Sequence, residues 1–346
     1  MSEGSISELT AGLRRVALVG LAKNTGKTET LAALLRELAQ QNIRIGVTSV
    51  GRDGEEHDVI DARIDKPRIR LRVGSLVAST GALLRASGLA HERLAQTGVR
   101  TPLGEVVIAR LSEQGAVEVA GPSAAADVRA VSEEMLGFGA EQVLIDGAID
   151  RRAASSPAIS DGLVMATGAV LGEKIEQVVA ATTDAVQLVR LPLAGNSAVT
   201  STPDGASKPI VLSRRLILSG ESAEIAALLA EHHRADTFLV EGALSERFLE
   251  GLLAARRERA GRELQIVASD PTSVFISRHG PSWYARQGIA IAVRRTIELC
   301  AITVNPVAPQ SHRFDSDRLR NLIAAAVPDV PVLDVLDPDY RAAPEH

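Results

Sequence analysis

Aromatic residues make up only 2% of this chain: five Phe, two Tyr and one Trp in 346 residues. Base-stacking platforms for single-stranded nucleic acid need such rings, so that class of function is disfavoured. Only one cysteine is present, Cys300. A disulfide framework or a cysteine-ligated zinc site within one chain is therefore excluded. The setting of that residue, IELCAITV, suits a small buried hydrophobe. No apolar run approaches the ~18–20 residues of a membrane span. The opening MSEGSISELT lacks the cationic and apolar pattern of a secretory signal. Basic excess is missing too: the formal net charge is −5, which leaves no electrostatic footprint for nucleic acid. The expectation is a cytoplasmic protein with neither a membrane nor a nucleic acid as partner. Its length and its 45% hydrophobic content suit one large α/β domain or two smaller ones.

Against these absences stands RVALVGLAKNTGKTET, Arg15 to Thr30. An apolar strand from Val16 to Val19 runs into a polar turn, then Gly26-Lys27-Thr28, then the helix-forming ETLAALLRELAQQ. That is the strand, phosphate loop and helix order of a nucleoside-triphosphate site. The first amides of a helix have no partner inside it, and the helix dipole favours negative charge there. Lys23, Asn24, Thr25 and Gly26 would supply backbone amides to the phosphates. Lys27 would reach the β and γ oxygens, and the Thr28 hydroxyl would hold Mg2+. The usual first glycine falls on Leu21, with Gly20 one place early. Either Leu21 takes the bend without glycine's freedom or the loop is one residue longer.

Strand-like and helix-like stretches alternate almost to the end, which predicts an α/β, doubly wound, mostly parallel sheet of the phosphate-loop type. IRIGVTSV and RIRLRV read as strands, with helical stretches around Leu83 and Leu94. EVVIARL and AVEVAG, separated by SEQG, read as a hairpin added at one edge. A helix from about 124 to 136 precedes EQVLIDGAIDRR. Later strands are expected at EQVVAAT, QLVRLPL, RRLILSG, TFLVEGAL, LQIVASD, CAITVNP and VPVLDVL, with a loose tail after them. AGNSAVTSTPDGASKP is the one linker-like stretch. This divides the chain into a nucleotide-binding half, 1–193, with an insertion at about 60–120, and an α/β C-terminal half, 210–346, either separate or continuing the same sheet. The motifs around Asp146 and Glu241 echo each other, as two similar half-domains or, the favoured reading, two similar strand ends in one sheet would produce.

Asp146 ends an apolar strand and precedes Gly147. An acid there would hold Mg2+ through water, at the strand ends where ligands collect; it equally reads as a cap on the following turn. Asp53 and Glu55 follow the second strand and would project over the same edge. Asp53 is the candidate to position an attacking water. Glu55 to Asp58 cannot all point at one ion, so a solvated loop is the better reading. DGAIDRRAASSPAISDG reads as a lid, a partner-contacting loop or a plain surface loop. Asn305 closes the strand CAITV before Pro306, where its amide would pair with a purine base or simply terminate the strand. His232, His233, His279 and His312 form no metal spacing.

Several of these segments together resemble the lysine 5,6-aminomutase reactivase subunit family: VGLAKNTGKTETL, IGVTSVGRDGE, KPRIRL with GSLVAST, VLIDGAIDRRAASSPAISDGLVMATGAVLG and ITVNPVAP. The resemblance spans most of the chain, apart from the middle linker. It implies an ATP-binding accessory protein that uses Mg2+ and acts beside a MutS-like ATPase subunit. Together they would restore an adenosylcobalamin- and pyridoxal-phosphate-dependent aminomutase whose cobalamin has become inactive. The layout is also similar to dethiobiotin synthetase and the metallochaperone branch of phosphate-loop proteins, in which a late-strand Asn reads the base. Displaced Gly20 and the long insertion before Asp146 depart from that pattern, and leave open whether Asp53 or Asp146 completes the Mg2+ shell. Three activities follow as expectations: a weak ATPase acting as a reactivase, a small-molecule enzyme of the dethiobiotin synthetase type, and a nucleotide-binding interaction module without turnover. A homodimer is compatible with each.

Overall fold

The computed structural model describes residues 4–51, 68–148, 156–195, 209–256, 263–309 and 312–341. The alternating pattern becomes, in chain order, α1 (Ile6–Leu9), β1 (Arg15–Gly20), α2 (Lys27–Gln40), β2 (Ile45–Ser49), β3 (Ile69–Leu71), β4 (Leu76–Thr80) and α3 (Gly81–Ala86). Next come β5 (His91–Thr101), β6 (Gly104–Leu111), β7 (Gly115–Val117), α4 (Ala125–Gly137), β8 (Gln142–Ala148), β9 (Gly162–Gly168) and α5 (Ile175–Val189). A second series holds β10 (Ile210–Leu212), α6 (Arg214–Ser219), α7 (Ser222–Glu231), β11 (Thr237–Val240), β12 (Leu244–Ser245), α8 (Glu246–Arg256), β13 (Leu264–Ala268), β14 (Val274–Phe275), α9 (Pro281–Arg286) and β15 (Ile289–Val293). The chain closes with β16 (Glu298–Asn305), α10 (Ser316–Ala326), β17 (Val332–Leu333) and α11 (Pro338–Arg341).

Two compact units result: Met1–Thr182 with Ile297–His346, and Thr183–Thr296. The first is built on a nine-stranded sheet in the order β17-β16-β9-β1-β8-β2-β4-β6-β5. Pairing is parallel from β17 to β4; β6 then joins β4, and β5 joins β6, antiparallel. The continuous apolar runs of β1 and β9 are buried residue after residue, as expected of strands covered on both faces. Helix α2 shows the complementary pattern. Leu31, Leu34, Leu35 and Leu38 lie one helical turn apart on one face and enter the same core as Leu18, Leu144 and Val164. The architecture is α/β with a large, mostly parallel sheet, compatible with a doubly wound fold.

Several expectations are corrected here. Within the stretch expected as an insertion at about 60–120, β4 and β6 belong to the main sheet, while β3 pairs with β7 in a small sheet of their own. The antiparallel edge exists, but its hairpin joins β5 to β6, and AVEVAG is not its second arm. The stretch around Leu94 is strand β5, not helix. None of its residues is fully buried, and Glu92, Arg93 and Arg100 put charge along it. Charge of that kind protects an edge strand and at the same time blurs its strand signature. The tail is not loose as far as Arg341. The Tyr340 hydroxyl donates to Glu37 Oε1 (2.7 Å) and accepts from the Ile6 amide (3.1 Å). Burial first, then the Glu37 carboxylate, raises the pKa of that phenol.

The second unit has a four-stranded parallel sheet, β10-β11-β13-β15, and a parallel pair, β12-β14. Its core gathers Phe238, Phe248, Tyr284 and Ile291. EQVVAAT, read as a strand, lies within α5; QLVRLPL, also read as a strand, begins in the last residues of α5; and RRLILSG is α6. Local chemistry explains α6. The Ser213 hydroxyl accepts from the Leu216 amide at the start, and Gly220 takes the left-handed conformation at the end, φ 62°. Expected strand ends Asp146 and Glu241 lie by different sheets, since β8 and β11 are in separate units. The units divide within α5 and at Thr296/Ile297 rather than near 194–209. The reason is β16, which returns to pair with β9 in register, Thr303 opposite Ala166.

Cys300 is buried on β16. Loss of solvent around its sulfur pushes the thiol up to about 11. The folded protein should therefore fail to react with Ellman's reagent at pH 8 over an hour, and should release about one equivalent of thiolate once unfolded in guanidinium. Rapid reaction of the native chain would contradict this packing.

Candidate functional site

Strand β1 ends at Gly20, and the next amide, Leu21 N–H, still donates to Ala166 O on β9 (3.0 Å). The chain then turns sharply. The buried Thr25 hydroxyl donates back to Ala22 O at 2.9 Å and closes the turn from inside. This fold-back lies against Gly20, where an added Cβ would sit 2.6 Å from Thr25 Oγ1. Glycine is needed at 20 for that close approach. Leu21 carries no positive φ; the left-handed conformations fall on Asn24 (φ 67°) and Gly26 (φ 89°). Asn is one of the few L-residues that enters this region readily.

Gly26 is also the residue before α2, and among the described residues no side chain caps the helix there. Its carbonyl accepts from both the amide (2.9 Å) and the hydroxyl (3.1 Å) of Thr30. The Thr30 hydroxyl meets that of Thr303 on β16 at 2.6 Å, with both residues buried. The turn is thus braced, while the amides opening α2 keep their direction along the helix axis and their partial positive charge.

Lys27, the first residue of α2, is paired with Asp146: Nζ to Oδ1 is 2.5 Å. Asp146 lies on β8 opposite Leu18 of β1 and Ser49 of β2. Its carbonyl accepts from Val50 N–H at 2.9 Å, which ties the chain leaving β2 to the same strand end. The side chains are 24% and 27% exposed. They are covered enough that salt screens the pair less than a surface pair, yet open enough for Lys27 to change partners.

Asn305, at the end of β16, faces the turn from the other side. Its Nδ2 donates to Asn24 O (3.1 Å), its Oδ1 accepts from Val307 N–H (3.1 Å), and its Cβ lies 3.0 Å from where a side chain on Gly26 would begin. In this structure the amide acts as a clamp on residues 24–26, a contact that sequence reasoning missed because it bridges 281 positions.

The structure therefore brings together Asn24, Thr25, Gly26, Lys27, Asp146 and Asn305. Lys23 and Thr28 are exposed on the turn and on the first turn of α2. Asp53, with Arg52 and Glu55 to Asp58, lies outside the described residues, as do Asp150 and Arg151. Thr167 is buried on β9 with its hydroxyl 2.7 Å from that of Thr182. Among the described residues no three His, Cys, Asp or Glu side chains are grouped to hold a metal ion. None of their helices is long and apolar enough to cross a membrane. Missed contributors are Thr30 and Thr303, a pair that left no signal; Gly20, expected only as a displaced loop glycine, is required by its close approach to Thr25. Compared with family models, curated proteins and solved structures, the chain matches none.

Gly20→Ala should cost about 1–3 kcal/mol in urea denaturation, the usual range for forcing a methyl into a filled site. Leu21→Gly should bring no gain, despite putting glycine in its common place. A neutral Gly20→Ala would mean that the turn is not held as described.

Proposed function

We propose that the β1–α2 turn is a phosphate loop and that the protein binds Mg-ATP there. The observation that carries this reading is the Lys27 ammonium, held at 2.5 Å from Asp146 beside the uncapped start of a 14-residue helix. A lysine, free-pointing amides and an acid on the neighbouring strand are the donor set that polyphosphate and its cation need. The residues present fit that ligand. Lys27 would exchange the Asp146 carboxylate for β and γ oxygens, while the amides of residues 23–28 take the remaining charge. Thr28 and Asp146, released from Lys27, would face the cation, Asp146 through water. Asp53 is the candidate to orient a water. Bound Mg-ATP supplies a phosphoryl group whose transfer is governed by positioning and charge stabilisation. The Asn305 clamp would hold the loop's shape, and its amide is the candidate to meet the base once released.

Gly20 meets the steric need of the tight turn in place of a glycine at 21, which favours a loop able to bind and act over a module without turnover. From the family resemblance, nucleotide binding would be coupled to release of damaged cobalamin from an adenosylcobalamin-dependent aminomutase, alongside a MutS-like ATPase. Residues after Asp146 are the candidate segment to report nucleotide state to those partners.

With Mg-ATP at 100 times its Kd, the wild-type chain should gain about 2.7 kcal/mol of stability. Lys27→Ala should gain nothing under the same conditions, as read by thermal denaturation and calorimetric titration. Identical behaviour of the two would remove the phosphate-loop reading. Capture from the native host with a nonhydrolysable ATP analogue should then retain an aminomutase or a MutS-like ATPase; recovery of neither would leave nucleotide binding standing and remove the reactivase role.

A further inference from the structure

A cavity of about 490 Å3 opens in the first unit where β2 and β4 begin. That is the opposite end of the sheet from the β1–α2 turn, which follows the end of β1. Its size is within the ~300–1,000 Å3 typical of small-molecule sites. Three arginines line it: Arg44, Arg72 and Arg110. Among the described residues no carboxylate lines it, in a chain whose net charge is negative. Phe138 and Val73 supply apolar wall.

The cations are not fully neutralised. Arg44 meets Glu141 at 3.1 Å and Arg110 meets Glu92 at 3.6 Å, but both acids are largely exposed and neither lines the cavity. The Arg72 guanidinium donates only to backbone carbonyls, Ala39 O and Ile43 O, each at 2.6 Å. Among the described residues it has no carboxylate partner. An independent observation points the same way. Ser75 lines the cavity and is 2% exposed, yet its hydroxyl has no hydrogen-bond partner among the described residues. A buried unsatisfied hydroxyl is costly and calls for an explanation.

We propose that this cavity binds a small doubly charged oxyanion, a phosphate ester or a dicarboxylate, at a site separate from that for nucleotide. Guanidinium forks suit such oxygens in planar, paired geometry. The ligand would give the Ser75 hydroxyl its acceptor and Arg72 its counter-charge. Helix α2 connects this site to the β1–α2 turn: the Ala39 carbonyl in its last turn is held by Arg72, and its first residue is Lys27. An anion that draws Arg72 away from that carbonyl therefore acts on the same helix, about 20 Å long, that carries Lys27.

The test uses inorganic phosphate and succinate as probes, titrated by calorimetry into the full chain carrying Lys27→Ala. That background separates the cavity from the turn, so the result stands whatever becomes of the nucleotide reading. Saturable binding of either probe is expected, and which one binds tells phosphate esters from dicarboxylates. Arg44→Gln with Arg110→Gln should weaken it about tenfold or more, with the far-ultraviolet circular dichroism unchanged. Ser75→Ala should weaken it as well, while leaving thermal stability without anion equal or higher, since the lone hydroxyl is gone; it also carries the test if the double variant does not fold. Absence of saturable binding by both probes, or binding untouched by Ser75→Ala, would overturn the proposal.

Discussion

The register between β1 and β8 is the constraint on which the candidate site depends. With Leu18 opposite Asp146, the acid stands two residues short of the point where β1 ends at Gly20. Only then can a lysine on the first turn of the following helix reach back to it. A shift of one residue would turn Asp146 toward the other face of the sheet. Ladders on both flanks prevent the slip: β8 is locked between β1 and β2, and Val50 N–H closes on the Asp146 carbonyl. The ion pair is thus a product of sheet geometry more than of local loop sequence.

Around that pair the turn is shaped by shape-matching among small groups. Gly20 gives way to Thr25, Gly26 gives way to Asn305, and Thr30 meets Thr303. Three strands contribute, β1, β9 and β16, and only the first is near in sequence. The helix that leaves the turn is polar-anchored at its far end too, by Arg72. One rigid element therefore has a lysine at its start and a guanidinium at its finish, with a leucine face between them that fixes its position on the sheet.

Much of the first unit was legible in the sequence because its signals are local. Strand β1, helix α2, strand β2 and helix α4 each follow from periodicity or from an apolar run meeting a turn, whereas β8 runs on past Asp146, expected as its last residue, to Ala148. Helix α5 was misread because its many β-branched residues, among them Val178, Val179 and Thr182, favour strands, although its apolar positions recur at helical spacing. Strand β5 was misread for the opposite reason: an edge tolerates charge, so HERLAQTG carries the composition of a helix surface. The hold of Asn305 on Asn24 and the Thr30–Thr303 contact left no trace in the sequence, since pairings at that separation are set by strand order. The boundary of the second unit was hidden likewise, because only the pairing of β16 with β9 shows that residues 297 onward return to the first sheet.

That return has a consequence for how the protein is made. During synthesis β9 is complete long before β16 leaves the ribosome, since the entire second unit is translated between them. At roughly 5–20 residues per second the wait is on the order of ten seconds. Throughout it the nascent sheet presents the bare flank of a largely apolar strand, open to mispairing with another chain. Growing polypeptide is in this sense most exposed just as its neighbouring unit is being born, and chaperone demand should peak in that interval.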